Sequence, residues 1–282
     1  MEVKAPEVTR KRRPGQFVVV RVDEKGERIP LTIVDADSKK GSITLIVQEV
    51  GASTIKLGRK RRGGFIRDLV GPLGHPSELG KFGLVVCVAG GIGVAEIYPV
   101  ARALREACNK LISIVGSRSQ RLLILEDEMR KVSDELYITT NDGSYGREGL
   151  VTEVLLDLLN DGCIPDLVYA VGPLAMMRAV ADLTLPYEIK TVVSLNPLMV
   201  DGTGMCGCCR LTVGGERKFA CVDGPDFDAH QVDFAELRLR REAYLDEEQT
   251  SLKSHPGLRK ANTNSEHPQV GDTNAINRDP GF

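Results

Sequence analysis

A chain of 282 residues that opens on short β-branched runs, changes at Gly83 to apolar strands alternating with helices, and gathers four of its seven cysteines within sixteen residues predicts a β + α/β fold in three parts. The first is a small antiparallel sheet or barrel over residues 1–80, the second a mainly parallel sheet with helices over 81–195, and the third a compact cysteine-rich module over 196–232. At roughly 150 residues per domain the length suits two modest domains with such a module attached.

The antiparallel part rests on Phe17 to Val22, Ile29 to Val34 and Ser42 to Val50, separated by DEKGE and DADSKKG, which are turn compositions. The basic cluster Arg59 to Arg62, followed by two glycines, reads as a solvated loop. From Gly83, GLVVCVA is a continuous apolar run suited to a strand buried on both faces, followed by GGIG and a helix bearing Ala95, Val100, Ala103 and Leu104. LISIVG, LLILE, LYITT, DLVYAVG and EIKTVVS read as further strands between helices. The clearest helix has Val151, Val154, Leu155 and Leu158 at i, i+3, i+4 and i+7. Glycine, proline and cysteine dominate from Asn196 to Pro225. A charged helix is expected from Asp233 to Glu248 within a segment 233–255, with Phe234, Leu237, Tyr244 and Leu245 as its thin apolar side. Residues 256–282 lack apolar periodicity and predict a disordered or surface-wrapping tail. No internal repeat is present.

Composition narrows the function classes. Lys and Arg number 37 against 39 Asp and Glu, a net charge of -2, which argues against a nucleic-acid or membrane-surface binder. Aromatics are 5% and tryptophan is absent, leaving little material for base stacking. The longest uncharged stretch, Phe82 to Ala95, contains four glycines and falls short of a membrane span. The opening MEVKAPEVTRKRRPG has no apolar signal region, so a cytoplasmic protein is expected. In that setting clustered cysteines point to metal ligation rather than disulfides, while Cys87, Cys108 and Cys163 sit singly in apolar contexts.

Gly90, Gly91 and Gly93 stand where a buried strand hands over to a helix. Such a turn lets backbone approach a pyrophosphate at a helix N-terminus, although GGIG is not the G-x-G-x-x-G pattern. A second strand runs into Gly172, Pro173, Leu174, Ala175 and Met176, where a proline at a helix start and paired methionines also have plain structural readings. Both turns lie at C-terminal ends of parallel strands, where open α/β sheets bind ligands.

Cys206 and Cys209 form a C-x-x-C pair, and Cys221 arrives after eleven intervening residues from a short hairpin over Leu211 to Ala220 that turns at Gly214 and Gly215. Three thiolates so placed indicate a metal, either tetrahedral zinc or an iron–sulfur cluster. For the fourth ligand, Cys208 directly precedes Cys209, and adjacent side chains point apart, which reads it as a packed thiol. Asp201, five residues before Cys206 in a loop with Gly202 and Gly204, is an alternative oxygen donor whose plain reading is a turn or cap residue.

GQFVVVRV, ERIPLT, DLVGPLGHP, VAGGIGVAEIYP, LILEDEM, YAVGPLAMM and DGTGMCGCCRLTVGG with KFACVDGPDFDAH together resemble the small (alpha) subunit of NADH-dependent ferredoxin:NADP oxidoreductases. These are electron-bifurcating transhydrogenases of the ferredoxin-reductase superfamily, also described as sulfide dehydrogenase-type subunits. More distantly the chain is similar to electron-transfer subunits of dihydroorotate dehydrogenase. The resemblance spans about residues 2–250. It implies an FAD-binding barrel, an NAD(H)-binding domain and a 2Fe-2S cluster domain. The dihydroorotate relatives have a cysteine where Asp201 stands and the transhydrogenase subunit an aspartate, which implies Asp201, Cys206, Cys209 and Cys221 as ligands. Relatives also have a β-strand before the segment matching EVKAPEV, so the expectation is a barrel short of its first strand or a misassigned start.

Residue by residue, the resemblance sets the Thr32 hydroxyl near flavin N5 as the catalytic group, with Pro30 and Leu31 on the ring. Ile29 occupies the usual arginine slot, and Arg28, one residue out of register, is the candidate for the pyrophosphate. Ile46, Val47 and Gln48 match the adenosine lining, Ser53 and Thr54 the phosphate cradle, and Gly71, Leu73 and Gly74 the GPLG turn beside the ring. NAD(H) would lie over Gly90, Gly91 and Gly93 with its nicotinamide near Gly172, Pro173 and Met176. Ser117, Arg118 and Arg121 are placed to meet a 2'-phosphate, though the family favours NAD(H). No acid–base pair is required, and His75, His230, His255 and His267 read as surface residues. The implied partner is a larger subunit holding FAD and 4Fe-4S clusters, through which ferredoxin is reached, with the helix from Asp233 as docking element. The alternatives are an electron-transfer subunit of another oxidoreductase such as a dihydroorotate dehydrogenase, a zinc-stabilised nucleotide-binding regulator, and a scaffold subunit without flavin.

Overall fold

The computed structural model describes residues 1–254, so the expected tail over 256–282, with His255 and His267, lies outside the described residues. The N-terminal part contains β1 (Glu2–Lys4), α1 (Pro6–Lys11), β2 (Phe17–Arg21), β3 (Arg28–Thr32), β4 (Asp35–Asp37), β5 (Ser42–Thr44), α2 (Ala52–Gly58) and β6 (Asp68–Leu73). Its strands form two antiparallel three-stranded sheets, β1-β5-β4 and β3-β2-β6. Alternation in β2 sends Val18 and Val20 inward with Ile43 and Leu45 from the other sheet, and this shared core joins the sheets as a barrel.

Two short helices here escape sequence periodicity. α1 starts on Pro6, where a missing N–H costs nothing, and buries little more than Val8. α2 is capped by Thr54, whose hydroxyl accepts the N–H groups of Val50 and Gly51. The expected strand to Val50 ends instead at Thr44, because the chain leaves the ladder and Ile46 to Gln48 turn toward a cleft.

The central part contains β7 (Leu84–Gly90), α3 (Val94–Glu106), β8 (Lys110–Ser117), α4 (Glu126–Val132), β9 (Glu135–Thr140), β10 (Arg147–Glu148), α5 (Val151–Asn160), β11 (Leu167–Val171), α6 (Leu174–Thr184) and β12 (Thr191–Ser194). These strands are parallel, in the order β10-β9-β8-β7-β11-β12. β7 is buried on both faces: Val85, Cys87 and Ala89 meet α3, and Val86 and Val88 meet α5 and α6. The apolar stripe of α5 is as expected, with Val151, Val154 and Leu155 buried. LLILE is not a strand. Leu125 adopts a left-handed φ of 58° and opens α4, so the leucine run covers the sheet face instead of joining its ladder.

The C-terminal part contains β13 (Arg210–Val213), β14 (Glu216–Phe219), β15 (Asp226–Asp228), α7 (Phe234–Glu242) and α8 (Leu245–Ser254). β13 and β14 form the expected hairpin over Gly214 and Gly215, both at positive φ. β15 adds to β12 antiparallel, which makes the large sheet seven-stranded. The single helix expected from Asp233 to Glu248 is two helices broken at Ala243 and Tyr244: Leu237 anchors α7 in the core, whereas α8 rests against α2. Among the described residues no helix is long and apolar enough to cross a membrane.

Candidate functional site

Strand order reverses between β7 and β11, and a cleft opens at their C-terminal ends, as it does in open α/β sheets generally. Their parallel register sets Val171 beside Ala89, which brings the two glycine turns together. A Cβ on Gly90 would lie 2.5 Å from Met176 Sδ and 2.8 Å from Pro173 Cδ, and one on Gly93 would lie 2.3 Å from the Val171 carbonyl oxygen. Gly91 has open space beside it but a φ of +56°, so its constraint is conformational.

The cleft has a volume of about 830 Å³, with Gly90 to Gly93, Ser117 and Arg118 on one side and Gly172 to Met177 on the other. A smaller cavity of about 210 Å³ is lined by Pro30, Leu31, Thr32 and Thr54 from the barrel. The two meet at Ile46 to Gln48, Ile92, Glu96, Leu195 and Asn196, which line both.

Several expected site residues lie elsewhere. Arg28 is exposed on β3 and lines neither cavity. Ser53 gives its hydroxyl hydrogen to the Glu27 carboxylate at 3.1 Å. Gly71 packs on Phe17 and Val18 within the barrel, whereas Leu73 and Gly74 face the C-terminal part: Gly74 packs on Phe17 and Pro225, and Gly202 on Leu73 and Val19. His230 is not a surface residue, since its Nε2 lies 3.0 Å from the buried Thr184 hydroxyl. Cys108, expected in an apolar setting, is exposed at a φ of 62° because it turns the chain out of α3.

Sequence reasoning missed Glu96, Asp226, Leu237 and Arg241. Leu237 and Arg241 reach the large cleft from α7, after the cysteine module. Glu96 stands in the first turn of α3. Burial, and then the like charge of Asp226, push its carboxyl up to about 7 against the pull of the Thr32 hydroxyl. Asp226 is also raised, by burial first. One carboxylate oxygen accepts the Ser77 hydroxyl at 2.6 Å while the other has no hydrogen-bond partner.

This pair has a stability consequence. A carboxyl raised from 4.5 to about 7 binds more protons in the folded chain than in the unfolded one, so stability falls as pH rises through that window. Glu96→Gln is expected to remove this fall, worth about 2 kcal/mol after allowing for cleft water. Urea unfolding at pH 5 and pH 8 checks it, and an equal pH dependence in both proteins contradicts it.

In the cysteine module the Cys209 and Cys221 sulfurs are 3.2 Å apart and buried. Asp201 accepts the backbone N–H of Thr203 on one oxygen and that of Cys206 on the other, each at 2.8 Å, which holds its carboxyl below the usual range. Among the described residues these donors do not gather about one point. The Cys209 and Cys221 sulfurs adjoin, and Asp201 adjoins Cys206, whose sulfur also neighbours that of Cys208. Cys208 is half-buried, and its carbonyl accepts from Arg240 at 3.1 Å.

The barrel, the parallel sheet with paired glycine turns, and the cysteine module define a ferredoxin-reductase-type protein. Residues 196–233 match the family described as the iron-sulfur cluster binding domain of dihydroorotate dehydrogenase B. A Thermotoga maritima protein described as a homolog of the dihydroorotate dehydrogenase B (NAD(+)) electron transfer subunit is 46% identical over 251 residues, 89% of this chain and 88% of that one. The electron transfer subunit from Shouchella clausii is 36% identical over 78% of this chain and 86% of its own. A solved structure of NADH-dependent reduced ferredoxin-NADP oxidoreductase, described for flavin-based electron bifurcation, superposes with a TM-score of 0.84 at 44% identity, covering 90% of this chain and 91% of that one. The chain belongs to the family of dihydroorotate dehydrogenase B-type electron-transfer subunits.

Proposed function

We propose that this chain carries electrons between NAD(H) and a 2Fe-2S cluster by way of FAD, as the small subunit of an NADH:ferredoxin:NADP transhydrogenase that bifurcates electrons. The observation that carries this reading is the contiguity of three sites. The large cleft and the barrel cavity share Glu96 and Ile46 to Gln48, and Gly202 of the cysteine loop rests on Val19 and Leu73 of the barrel.

The large cleft takes the dinucleotide, with pyrophosphate over Gly90 to Gly93, where free N–H groups and the start of α3 favour an anion. Gly172, Pro173 and Met176 hold the nicotinamide. Pro30, Leu31 and Thr32 face the flavin ring, Thr54 cradles its phosphates, and Ile46 to Gln48 line its adenosine. FAD, when bound, converts hydride transfer into single-electron transfer, and the chain's part is to position both partners and exclude water. Asp201, Cys206, Cys209 and Cys221 hold the cluster. Arg118 is exposed at the cleft rim, and the family reading favours NAD(H) there. α7 and α8, with Leu239 and Tyr244 exposed, form the docking element for a larger FAD and 4Fe-4S subunit.

A second reading, an electron-transfer subunit of a dihydroorotate dehydrogenase, is favoured by the match at 196–233 and by the relatives' descriptions. The carboxylate at position 201 favours the first. Asp201→Cys is expected to retain a cluster and shift its reduction potential, because ligand identity sets that potential. An unaltered potential in a redox titration removes Asp201 from the ligand set. Metal and flavin content of anaerobically purified protein tests the core of the reading. Two irons and one FAD per chain, with bands bleached by NADH, are expected. Zinc without colour, or iron without FAD, contradicts it, and the fold of the co-purifying partner separates the two readings.

A further inference from the structure

Thr32 from the barrel and Glu96 from the parallel sheet domain line the place where the two cavities join, and Asp226, on the strand that follows the cysteine loop, acts on Glu96 from outside both linings. Glu96 lines both cavities. Beside it stands Asp226, held by Ser77, and behind Asp226 the buried Tyr169 hydroxyl, 3.2 Å from Ser77 Oγ. The group whose charge reaches Glu96 is Asp226 on β15, Thr32 on β3 supplies a neutral hydroxyl, and the charge of Glu96 in turn reaches Tyr169 on β11. Tyr169 stays protonated, because burial and then Asp226 raise it well above its ordinary value. Among the described residues neither carboxyl has a Lys, Arg or His ion-pair partner, an uncommon state for two acids this close.

We propose that Glu96 is the charge-compensating proton acceptor of the electron-transfer site, taking up one proton whenever a hydride enters the junction of the two cavities. This rests on the function proposed above. A hydride is one proton and two electrons, so its arrival on a bound flavin would add one negative charge at a junction where Glu96, with Asp226 beside it, is the one charged residue lining both cavities. A further proton from cleft water moves onto the Glu96 carboxylate, converting COO⁻ to COOH and restoring the charge. When the two electrons leave singly for the cluster, the proton delivered with the hydride and the proton on Glu96 both return to water. Glu96 suits the role because its carboxyl sits where either protonation state is accessible near neutral pH, whereas Asp226 is sealed beneath it with one oxygen unpartnered.

The test is the pH dependence of the flavin midpoint potential in the full complex, for the natural protein, Glu96→Gln and Glu96→Asp. A two-electron reduction that takes up one extra proton falls with pH about twice as steeply as one that does not. The natural protein and Glu96→Asp are expected to show the steeper fall between about pH 6 and 8, and Glu96→Gln the shallower one. A merely structural role would offset the potential at every pH and leave the slope unchanged. Infrared difference spectra on reduction are expected to show a new protonated-carboxyl band that is absent in Glu96→Gln. Should that variant fail to hold flavin, the natural protein's slope and band decide alone, and a shallow slope without the band overturns the proposal. Bound flavin with equal slopes in all three proteins overturns the role of Glu96 alone. Absence of flavin from the natural complex overturns the proposed function and this role together.

Discussion

Cys209→Ser and Cys221→Ser are each expected to empty the cluster site, lowering iron to roughly a tenth or less of the natural content. The two sulfurs stand 3.2 Å apart inside the core, so both thiols reach the same place. Serine at either position replaces a soft thiolate with a hydroxyl that stays protonated at neutral pH, and the facing thiolate is left without its metal. Because ligation draws on folding free energy, the β13–β14 hairpin should also lose protection from proteolysis, while the barrel and parallel sheet keep theirs. Flavin content should be retained. Cys208→Ser is the control: its sulfur neighbours that of Cys206 but lies outside the proposed ligand set, and iron content should stay unchanged. Iron assay with a visible spectrum reads all three variants, and full iron in Cys209→Ser or Cys221→Ser removes these thiols from the site.

Gly93→Ala should be the most damaging single methyl in the nucleotide cleft. Its Cβ would meet the Val171 carbonyl oxygen at 2.3 Å and the Gly172 amide nitrogen at 3.0 Å, both backbone atoms of the adjacent strand that cannot swing aside. Overpacking of this kind costs about 1–3 kcal/mol, and the two turns must part to relieve it. NADH binding should weaken by about tenfold or more, since each 1.4 kcal/mol is a factor of ten. Gly90→Ala is expected to be milder, because a flexible methionine sulfur is its nearest obstacle. Thermal unfolding and NADH titration give the order, and Gly90→Ala equal to or worse than Gly93→Ala refutes this account of the turns.

Much of this architecture is legible in the residues. β7 and β11 declare themselves as apolar runs buried on both faces, α5 by its stripe, and the hairpin by Gly214 and Gly215 between β-forming runs. The cysteine module is legible because its spacing is local: the proposed ligands Asp201, Cys206, Cys209 and Cys221 lie within twenty-one residues. The LLILE run misleads because leucines that cover a sheet have the same composition as leucines within one, and only the left-handed Leu125 separates the cases. The motif places Arg28 at the phosphates, yet a strand's side chains alternate, and a one-residue offset sends Arg28 to solvent, while Ser53 on α2 turns its hydroxyl to Glu27. Glu96 and Asp226 leave no signal of their own, because positions 32, 96 and 226 become neighbours only when three parts of the chain close on one another.

The seventh strand has a bearing on how such proteins recombine. β15 follows Cys221 by five residues, yet it completes the edge of a sheet begun at Leu84, with Leu195 N–H bonded to the Pro225 carbonyl at 2.9 Å. A graft cut at Asn196 would take the iron-binding loop and leave β12 with a bare row of amides and carbonyls, the kind of margin on which chains aggregate. The cluster is therefore not a cassette that can be lifted onto another reductase at its motif boundary. Any exchange that keeps the donor sheet sealed has to leave Asp226 to Asp228 on β12 or supply a replacement hem.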